Sequence, residues 1–597
     1  MTQALPASAA VVVLGRSGVA VGARVRAALP GAALCGPRAL AGECDETYDR
    51  LDDCLALAFV EGRPIVGICA SGILIRLLAP LIADKRDEPP VVAMAEDGSV
   101  AVPLLGGHRG ANALARHLAT ALGGVAAITT AGDLRLGFAL DEPPPGWRVA
   151  DIEAAKPVAA ALLAGRPVTL SDELGAADWL RAGAADWAES AELGVLVTDR
   201  VARADPAMFV LHPPVLALGI GCERGCGADE IAALAAECLA AAGLSPLAVA
   251  AVVSVALKTD EPAVHALAAS LGVPARFFPA ERLLDETSRL TTRSEAVFRA
   301  TGCWGVAEGA ALAAAGPGGQ LVVPKRKSAR ATCAIARAAT AIDAAAIGAA
   351  RGRLAVVGIG PGDAAWRTAE AGRVLAVSTD LVGYSLYLDL LGPAAAGKIR
   401  HDSAIGAEAE RARLALDLAA SGRQVALVSS GDAGIYGLAA LVFELLDREP
   451  RRDWQAVELV VAPGVSAMQA AAARVGAPLG HDFCAISLSD LLTPWTAIRA
   501  RVEASAQADF VVALYNPRSA RRATYLAEAA AILLAHREPA TPVVIARNLG
   551  RPGEAVTVVA LADLATAEVD MLSLVIVGNR QTRRVGERVY TPRGYFR

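Results

Sequence analysis

No charge of one sign dominates this chain of 597 residues: 57 basic and 62 acidic side chains are interspersed along it, for a formal net charge of −5. Gripping a nucleic-acid backbone takes a positive field that displaces counterions from the phosphates, so a nucleic-acid partner is not expected. Clustered metal ligands are also missing. The ten cysteines are scattered, and only Cys222 and Cys226, in GCERGCG, approach metal-ligand spacing; no second Cys/His pair lies close enough in sequence to complete a four-ligand site. Nor does the N-terminus, MTQALPASAAVVVLGRSG, carry the basic leader and cleavage pattern of an export signal; Ala9 to Leu14 reads as a first strand. The expectations are a cytoplasmic protein without disulfides or a bound metal.

One uncharged run, Cys238 to Leu257, spans 20 residues, which is long enough to raise a membrane reading. Gly243, Ser245 and Pro246 cut it in the middle, and Pro and Gly end an ordinary helix. The run is read as a helix end, a Ser-Pro turn and a buried strand over Val249 to Leu257, not as a span. No membrane partner is expected.

The chain is longer than the roughly 250–300 residues at which one hydrophobic core stops growing, so several domains are expected. Short β-branched runs alternate with Ala/Leu-rich stretches almost from end to end, and Gly-rich turns join them, which predicts α/β structure throughout. Pro64 to Cys69 reads as a strand and Ile73 to Ile82 as a helix. Val91 to Met94 and Val100 to Leu104 read as strands, and Gly106-Gly107-His108-Arg109-Gly110 feeds a helix beginning near Ala111. The rhythm breaks from about Asp141 to Pro214, which predicts a small middle domain or an extended connection. It resumes at Val215 to Ile220, followed by GCERGCG and a helix with Asp229 and Glu230 in its first turn, suited to the positive end of its dipole. From about Arg337 to Gly352 the sequence is Ala-rich and reads as a linker, and a new strand begins at Arg353. The boundaries expected are therefore 1–140, 141–213, 214–337, a linker over 338–352, and 353–597.

The turn Val357-Gly358-Ile359-Gly360-Pro361-Gly362-Asp363 sits between a strand and a helix, where small residues let a ligand approach the backbone. It departs from the G-x-G-x-x-G of a dinucleotide site, although Asp380 lies at a plausible distance for a ribose carboxylate. No Gly-Lys-Ser/Thr follows, which excludes a phosphate-binding P-loop. Asp432, between glycines, has room to meet an ammonium or ribose hydroxyls, or it fixes its own turn.

The set VGIGPGD (357–363), SSGDAGIYG (429–437), APGVSAMQAA (462–471), LYNPRS (514–519), ARN (546–548) and VGN (577–579) resembles, in order and spacing, the tetrapyrrole methyltransferases. Within them, Val382-Gly383-Tyr384 with Tyr387, the form Asp432-Ala433-Gly434-Ile435-Tyr436-Gly437, and Leu514 to Ser519 are most similar to the precorrin-3B C17-methyltransferases. The resemblance implies a two-lobed α/β fold, a homodimer through this domain, and S-adenosyl-L-methionine bound between the lobes. It implies that Gly360 and Pro361 border the cofactor. Ser430, Gly431, Asp432 and Ile435 would hold its amino-acid and ribose parts, Ser466 and Ala467 would contribute from the third motif, and Leu514 or Tyr515 would close the adenine side. Methyl transfer to an electron-rich macrocycle calls for alignment and exclusion of water more than for a strong base. The accompanying ring contraction moves protons, for which Tyr384, His401 and His481 are candidates by residue type.

Residues 67–105, GICASGILIRLLAPLIADKRDEPPVVAMAEDGSVAVPLL, followed by GGHRGAN, resemble the N-terminal domain of cobalt-precorrin-5A hydrolases. LGIGCERGCGADEI, LKTDEPAVHALAASLGVPARFF, GVAEGAALAAAG and VVPKRKSARATCAIA resemble their C-terminal domain. Members open a ring-A lactone and release acetaldehyde. Glu223 stands where the resemblance leads one to expect Arg, and Cys226 where Thr or Ser is expected, which weakens anion binding at that loop, although Arg224 remains. His108 as base, with Lys258 and Arg109 as charge partners, is a candidate set for the hydrolysis.

The expectation is a bifunctional enzyme of cobalamin biosynthesis acting on a tetrapyrrole. The alternatives are a methyltransferase with a non-catalytic corrinoid-binding N-terminal half, methylation of another position, and a nicotinamide-dependent oxidoreductase.

Overall fold

A computed structural model describes residues 9–29, 31–40, 42–83, 88–395, 397–404, 406–519 and 524–595. Contacts divide the chain into two compact units. Unit 1 comprises Met1–Arg353 with the short stretches Leu418–Arg423 and Arg452–Glu458, and unit 2 comprises Leu354–Asp417, Gln424–Arg451 and Leu459–Arg597. The architecture is α/β in both. Among the described residues no helix is long and apolar enough to cross a membrane.

Unit 1 is built on three sheets. The first is seven-stranded, and Ala10–Val13, Ile65–Ile68 and Val91–Met94 lie side by side and parallel at its centre. All three are buried along their whole length, as strands covered by helices on both faces must be. Val100–Leu105 returns antiparallel, and its end runs through Gly106 into the helix Ala111–Leu122. Gly106 has φ of 69°, and a Cβ there would meet the Pro89 carbonyl oxygen at 2.3 Å, so the bend admits no side chain.

The stretch 141–213 folds on a five-stranded sheet of its own, with Val168–Asp172, Leu193–Val197 and Met208–His212 parallel at its centre. The third sheet is ordered Ala275–Phe278, Val249–Val255, Leu216–Cys222, Ala331–Arg337, Gln320–Lys327. The helix Val306–Ala315 lies directly on it: a Cβ on Gly219 would stand 2.0 Å from the Ala307 carbonyl oxygen. Small residues on both elements permit that approach.

The uncharged run at 238–257 is the end of the helix Ala228–Ala241, a turn over Pro246–Ala248 and the strand Val249–Val255. That strand stops short of the expected Leu257, because Ala256–Lys258 tighten into a 3-10 turn. The Ala-rich segment is hydrogen-bonded to the third sheet and its approach: Ala338 N–H donates to Val215 O, Ile342 N–H to Pro214 O, and Ala349 pairs with Phe277.

Unit 2 carries two five-stranded sheets and a small three-stranded one. One is ordered Ile399–Ser403, Asp380–Tyr384, Gln424–Ser429, Arg353–Gly358, Glu458–Ala462; the other is ordered Phe483–Ser487, Val511–Tyr515, Ser573–Val577, Pro542–Arg547, Ala555–Ala560. The second is mixed, since Val511–Tyr515 runs parallel to Phe483–Ser487 and antiparallel to Ser573–Val577. Loops leaving the strands of both sheets meet in one cavity.

Candidate functional site

Three Gly-rich loops of the first sheet of unit 2 pack backbone against backbone. Gly360 N–H donates to Gly431 O (3.1 Å), and Gly431 N–H donates back to Gly360 O (2.7 Å). A Cβ on Gly464 would lie 2.1 Å from Gly431 O, and one on Gly358 would lie 2.6 Å from the same atom. Asp432 locks the third loop to the second: its carboxylate accepts from Gly434 N–H (2.8 Å) and from Gly464 N–H (3.0 Å).

Beside this knot lies a cavity of about 250 Å³. Pro361, Ser430, Gly431, Asp432, Ile435, Ser466, Ala467 and Tyr515 line it, together with Tyr387, Tyr436, Asn516, Ala546, Asn548, Leu549, Arg551 and the run Met571 to Leu574. Ser466 caps the helix Ala467–Val475 in a reciprocal box, its hydroxyl accepting from Gln469 N–H while Gln469 Oε1 accepts from Ser466 N–H. The Met468 N–H donates to the Tyr515 hydroxyl at 3.3 Å. Burial pushes the Tyr515 and Tyr436 hydroxyls above their usual range, so both stay protonated at neutral pH.

Arg551 joins loops from the two sheets. Its Nε donates to Pro361 O (2.8 Å) and its other guanidinium nitrogen to Ser430 Oγ (2.9 Å), with Tyr387 facing the guanidinium at 5.9 Å. Four non-glycine residues among those described have positive φ, and three of them, Tyr436, Asn516 and Asn548, line this cavity. Such backbone persists where the surroundings over-determine it, and it concentrates at functional sites.

Other expected site residues lie off the cavity wall. Leu514 is fully buried and points away from the cavity; alternation along Val511–Tyr515 puts Tyr515 on the wall and Leu514 in the core. Gly360 holds the Gly431 loop and is not a wall residue. Tyr384 stands behind the wall, edge-on to Tyr387 at 5.3 Å, because the turn beginning at Ser385 carries Tyr387 to the cavity instead. His401 Nε2 lies 2.8 Å from Oδ1 of Asp380, a residue with no exposed surface, so the pair ties neighbouring strands away from the cavity wall. That contact, and the bond from Thr379 Oγ1 (2.8 Å), occupy the carboxylate on which a nicotinamide-cofactor reading depended. His481 accepts from the N–H of Asp482 on the surface.

The side chain of His108 lies outside the described residues; its backbone belongs to the tight turn Gly107–Arg109. Lys258 sits in the third sheet's loop cluster, 3.6 Å from the carboxylate of Glu261, which is 1% exposed. In the same cluster Arg224 is neutralised by Asp260 at 2.5 Å and donates to Leu257 O, so it is not a free anion grip. Arg330 braces the loop through the carbonyls of Arg224 and Gly225. Burial pushes the Cys222 thiol up to about 11, which keeps it protonated and a poor metal ligand.

Tyr387, Tyr436, Asn516 and Asn548 stood in the motifs that carry the resemblance without being given a site role, whereas Arg551, Met571 and Leu572 were missed; the two asparagines carried one usable signal. Asn directly after a strand is the side chain that tolerates the left-handed turn the site requires.

Fold and cavity together define an α/β protein with a small-molecule site built from strand-end loops of two sheets. A family model described as Tetrapyrrole (Corrin/Porphyrin) Methylases matches residues 353–565. Models described as Cobalamin synthesis G N-terminal and Cobalamin synthesis G C-terminus match residues 53–133 and 216–336. A Sinorhizobium precorrin-3B C(17)-methyltransferase is 45% identical over 249 residues, covering 41% of this chain and 97% of that one. The chain therefore belongs to the tetrapyrrole (corrin/porphyrin) methylase family. A Mycobacterium tuberculosis protein described as cobalamin biosynthesis protein CobIJ is 49% identical over 252 residues, covering 41% of this chain and 48% of its own length. The chain thus spans about half the length of the first curated relatives it matches. Among solved structures, that of the methyltransferase CobJ is 43% identical, covers 40% of this chain and 100% of its own, and has a TM-score of 0.38.

Proposed function

We propose that unit 2 methylates C17 of precorrin-3B or cobalt-precorrin-3 with contraction of the macrocycle, and that unit 1 opens the ring-A lactone of cobalt-precorrin-5A with release of acetaldehyde. On this reading 1–140 and 214–337 are the two hydrolase-like domains, 141–213 the middle region, 338–352 the connecting segment and 353–597 the methyltransferase. The protein is then cytoplasmic and a homodimer through the methyltransferase domain.

The observation that carries the methyltransferase reading is the convergence of seven separated stretches of chain on one cavity lined mostly by neutral residues. S-adenosyl-L-methionine fits that lining and supplies an electrophilic methyl on a sulfonium. Ser430, Gly431 and Asp432 would hold its polar end, Ala467 begins a helix whose dipole would suit its carboxylate, and Ile435, Leu549 and Leu574 offer apolar surface. Arg551 holds the Pro361 and Ser430 loops at a fixed separation, which preserves alignment. With Asp432 spent on two N–H donors and the tyrosines protonated, these wall residues position and exclude water and do not abstract a proton.

The test gives the full chain S-adenosyl-L-methionine with precorrin-3B or cobalt-precorrin-3 and follows the product by mass spectrometry and NMR. One added methyl at C17 with ring contraction, reduced in Asp432→Ala, is the expected result. Folded protein that binds S-adenosyl-L-methionine and methylates neither substrate overturns the C17 assignment.

A further inference from the structure

Behind the cavity of unit 2, three stretches of its wall meet on one side chain that does not itself line it. Arg474 stands in the last turn of the helix Ala467–Val475, whose first residue lines the cavity together with Ser466. Its guanidinium lies 4.7 Å from the centre of the Trp366 ring, in the turn Ala364–Trp366 that follows the Pro361 loop. The edge of the same group forks onto Glu554: Nε donates to Oε1 (2.5 Å) and a terminal nitrogen to Oε2 (3.4 Å). Glu554 Oε2 also accepts from Gly550 N–H at 2.7 Å, which closes the loop that brings Asn548, Leu549 and Arg551 to the wall. That loop presses on the Pro361 loop: a Cβ on Gly550 would stand 2.7 Å from Asp363 N, and one on Gly362 would stand 2.5 Å from Gly550 O.

The Pro361 loop leaves a strand of one five-stranded sheet of unit 2, and the Gly550 loop leaves a strand of the other. Arg474 therefore fastens loops of both sheets to the helix whose start forms part of the wall. An ion pair as exposed as this one, 39% on Arg474 and 25% on Glu554, adds little to folding stability. What it supplies is geometry, because a planar fork on a carboxylate with its face on an indole fixes direction as well as distance. Arg474 and the Gly550 N–H hold the Glu554 carboxyl below its usual range, so the pair is charged at neutral pH. We infer that Arg474 and Glu554 are positioning residues for the cofactor, setting through Gly550 the direction in which Arg551 reaches Pro361 O and Ser430 Oγ. The inference rests on the S-adenosyl-L-methionine reading above. A loop released from Glu554 lets the Arg551 guanidinium swing, and the separation of the Pro361 and Ser430 loops is no longer fixed.

The experiment is a double-mutant cycle of Glu554→Ala and Arg551→Ala in the full chain, read by titration calorimetry of S-adenosyl-L-methionine, with methyl transfer and cofactor-free thermal melts on the same preparations. Glu554→Ala should raise the cofactor Kd about tenfold in the wild-type background and less than about twofold where Arg551 is already Ala, with the melt nearly unchanged. Arg474→Lys, which keeps the charge but neither the fork nor the stacking, should raise Kd by an intermediate factor. A rise of equal size in both backgrounds overturns the inference, because a residue acting only on the fold does the same whether Arg551 is present or not. A wild-type Kd in Glu554→Ala overturns it too. If the wild-type chain binds the cofactor but methylates neither precorrin-3B nor cobalt-precorrin-3, the C17 assignment falls and the cycle still decides the inference; if it binds no cofactor, both fall.

Discussion

At the scale of single residues, Asp432 and Arg551 illustrate how a site is held before it is used. Each oxygen of Asp432 takes a different loop's N–H, so Asp432→Asn turns one acceptor into a donor facing a donor. Leaving one such N–H unsatisfied costs about 1–3 kcal/mol. A lower Tm by calorimetry and weaker S-adenosyl-L-methionine binding by titration calorimetry are the expected outcomes. Arg551 spans a carbonyl and a hydroxyl with two arms of one planar group, which a lysine cannot do. Arg551→Lys is therefore expected to lower kcat/KM for methyl transfer by about tenfold or more, the equivalent of one charge-assisted hydrogen bond of about 1.5–3 kcal/mol. Steady-state kinetics at saturating and limiting cofactor check it.

At the scale of elements, the strand-end turns decide where side chains point. Asn548 follows the strand Pro542–Arg547 with φ of 51°. If the turn's conformation matters more than the amide, Asn548→Gly keeps thermal stability, while the β-branched Asn548→Val loses about 1–3 kcal/mol; thermal melts of the two variants separate these roles. In the middle sheet of unit 1, His212 ends the strand Met208–His212, buried against Thr198 O (2.7 Å) and Ser245 Oγ (3.4 Å). Burial holds its pKa below the usual histidine value. The unfolded chain then binds a proton before the folded one does, so His212 contributes stability above its unfolded pKa and loses it as pH falls through the depressed folded value. The protection factors of Leu193–Val197 and Met208–His212, hydrogen-exchange rates corrected for the intrinsic slowing at lower pH, should fall from pH 7.5 to pH 5.5 in the wild type, and the change should shrink in His212→Gln.

At the scale of the whole molecule, two cavities are lined by residues of different units, with no residue in common. The proposed chemistries should be separable: Arg551→Lys lowers methyl transfer and leaves lactone opening untouched. Assaying both reactions on the wild type and on the variant checks this, because the two linings share no residue.

Much of the layered architecture was legible because buried parallel strands must be continuous apolar runs; Ile65–Ile68 and Val91–Met94 lie where PIVGIC and VVAM pointed. Their edges were less legible. The helix read as Ile73 to Ile82 runs over Ser71–Leu78, and a 3-10 turn takes over where Pro80 removes a donor.

What the sequence by itself determined is the set of positions where only certain residues permit the backbone its path. Gly358 and Gly464 are legible as a site because the loops they serve cross with no room for a Cβ, and Gly431 because its φ of 68° is left-handed, demands local enough to show in short motifs. Only the tertiary structure decided that Leu514 faces the core while Tyr515 faces the cavity, that Asp380 is spent on His401, and that Arg551 and Met571 close a wall begun at Pro361. The physical reason is that a side chain's role depends on which partners reach it, and partners are set by how sheets pack, at separations along the chain over which no motif carries information.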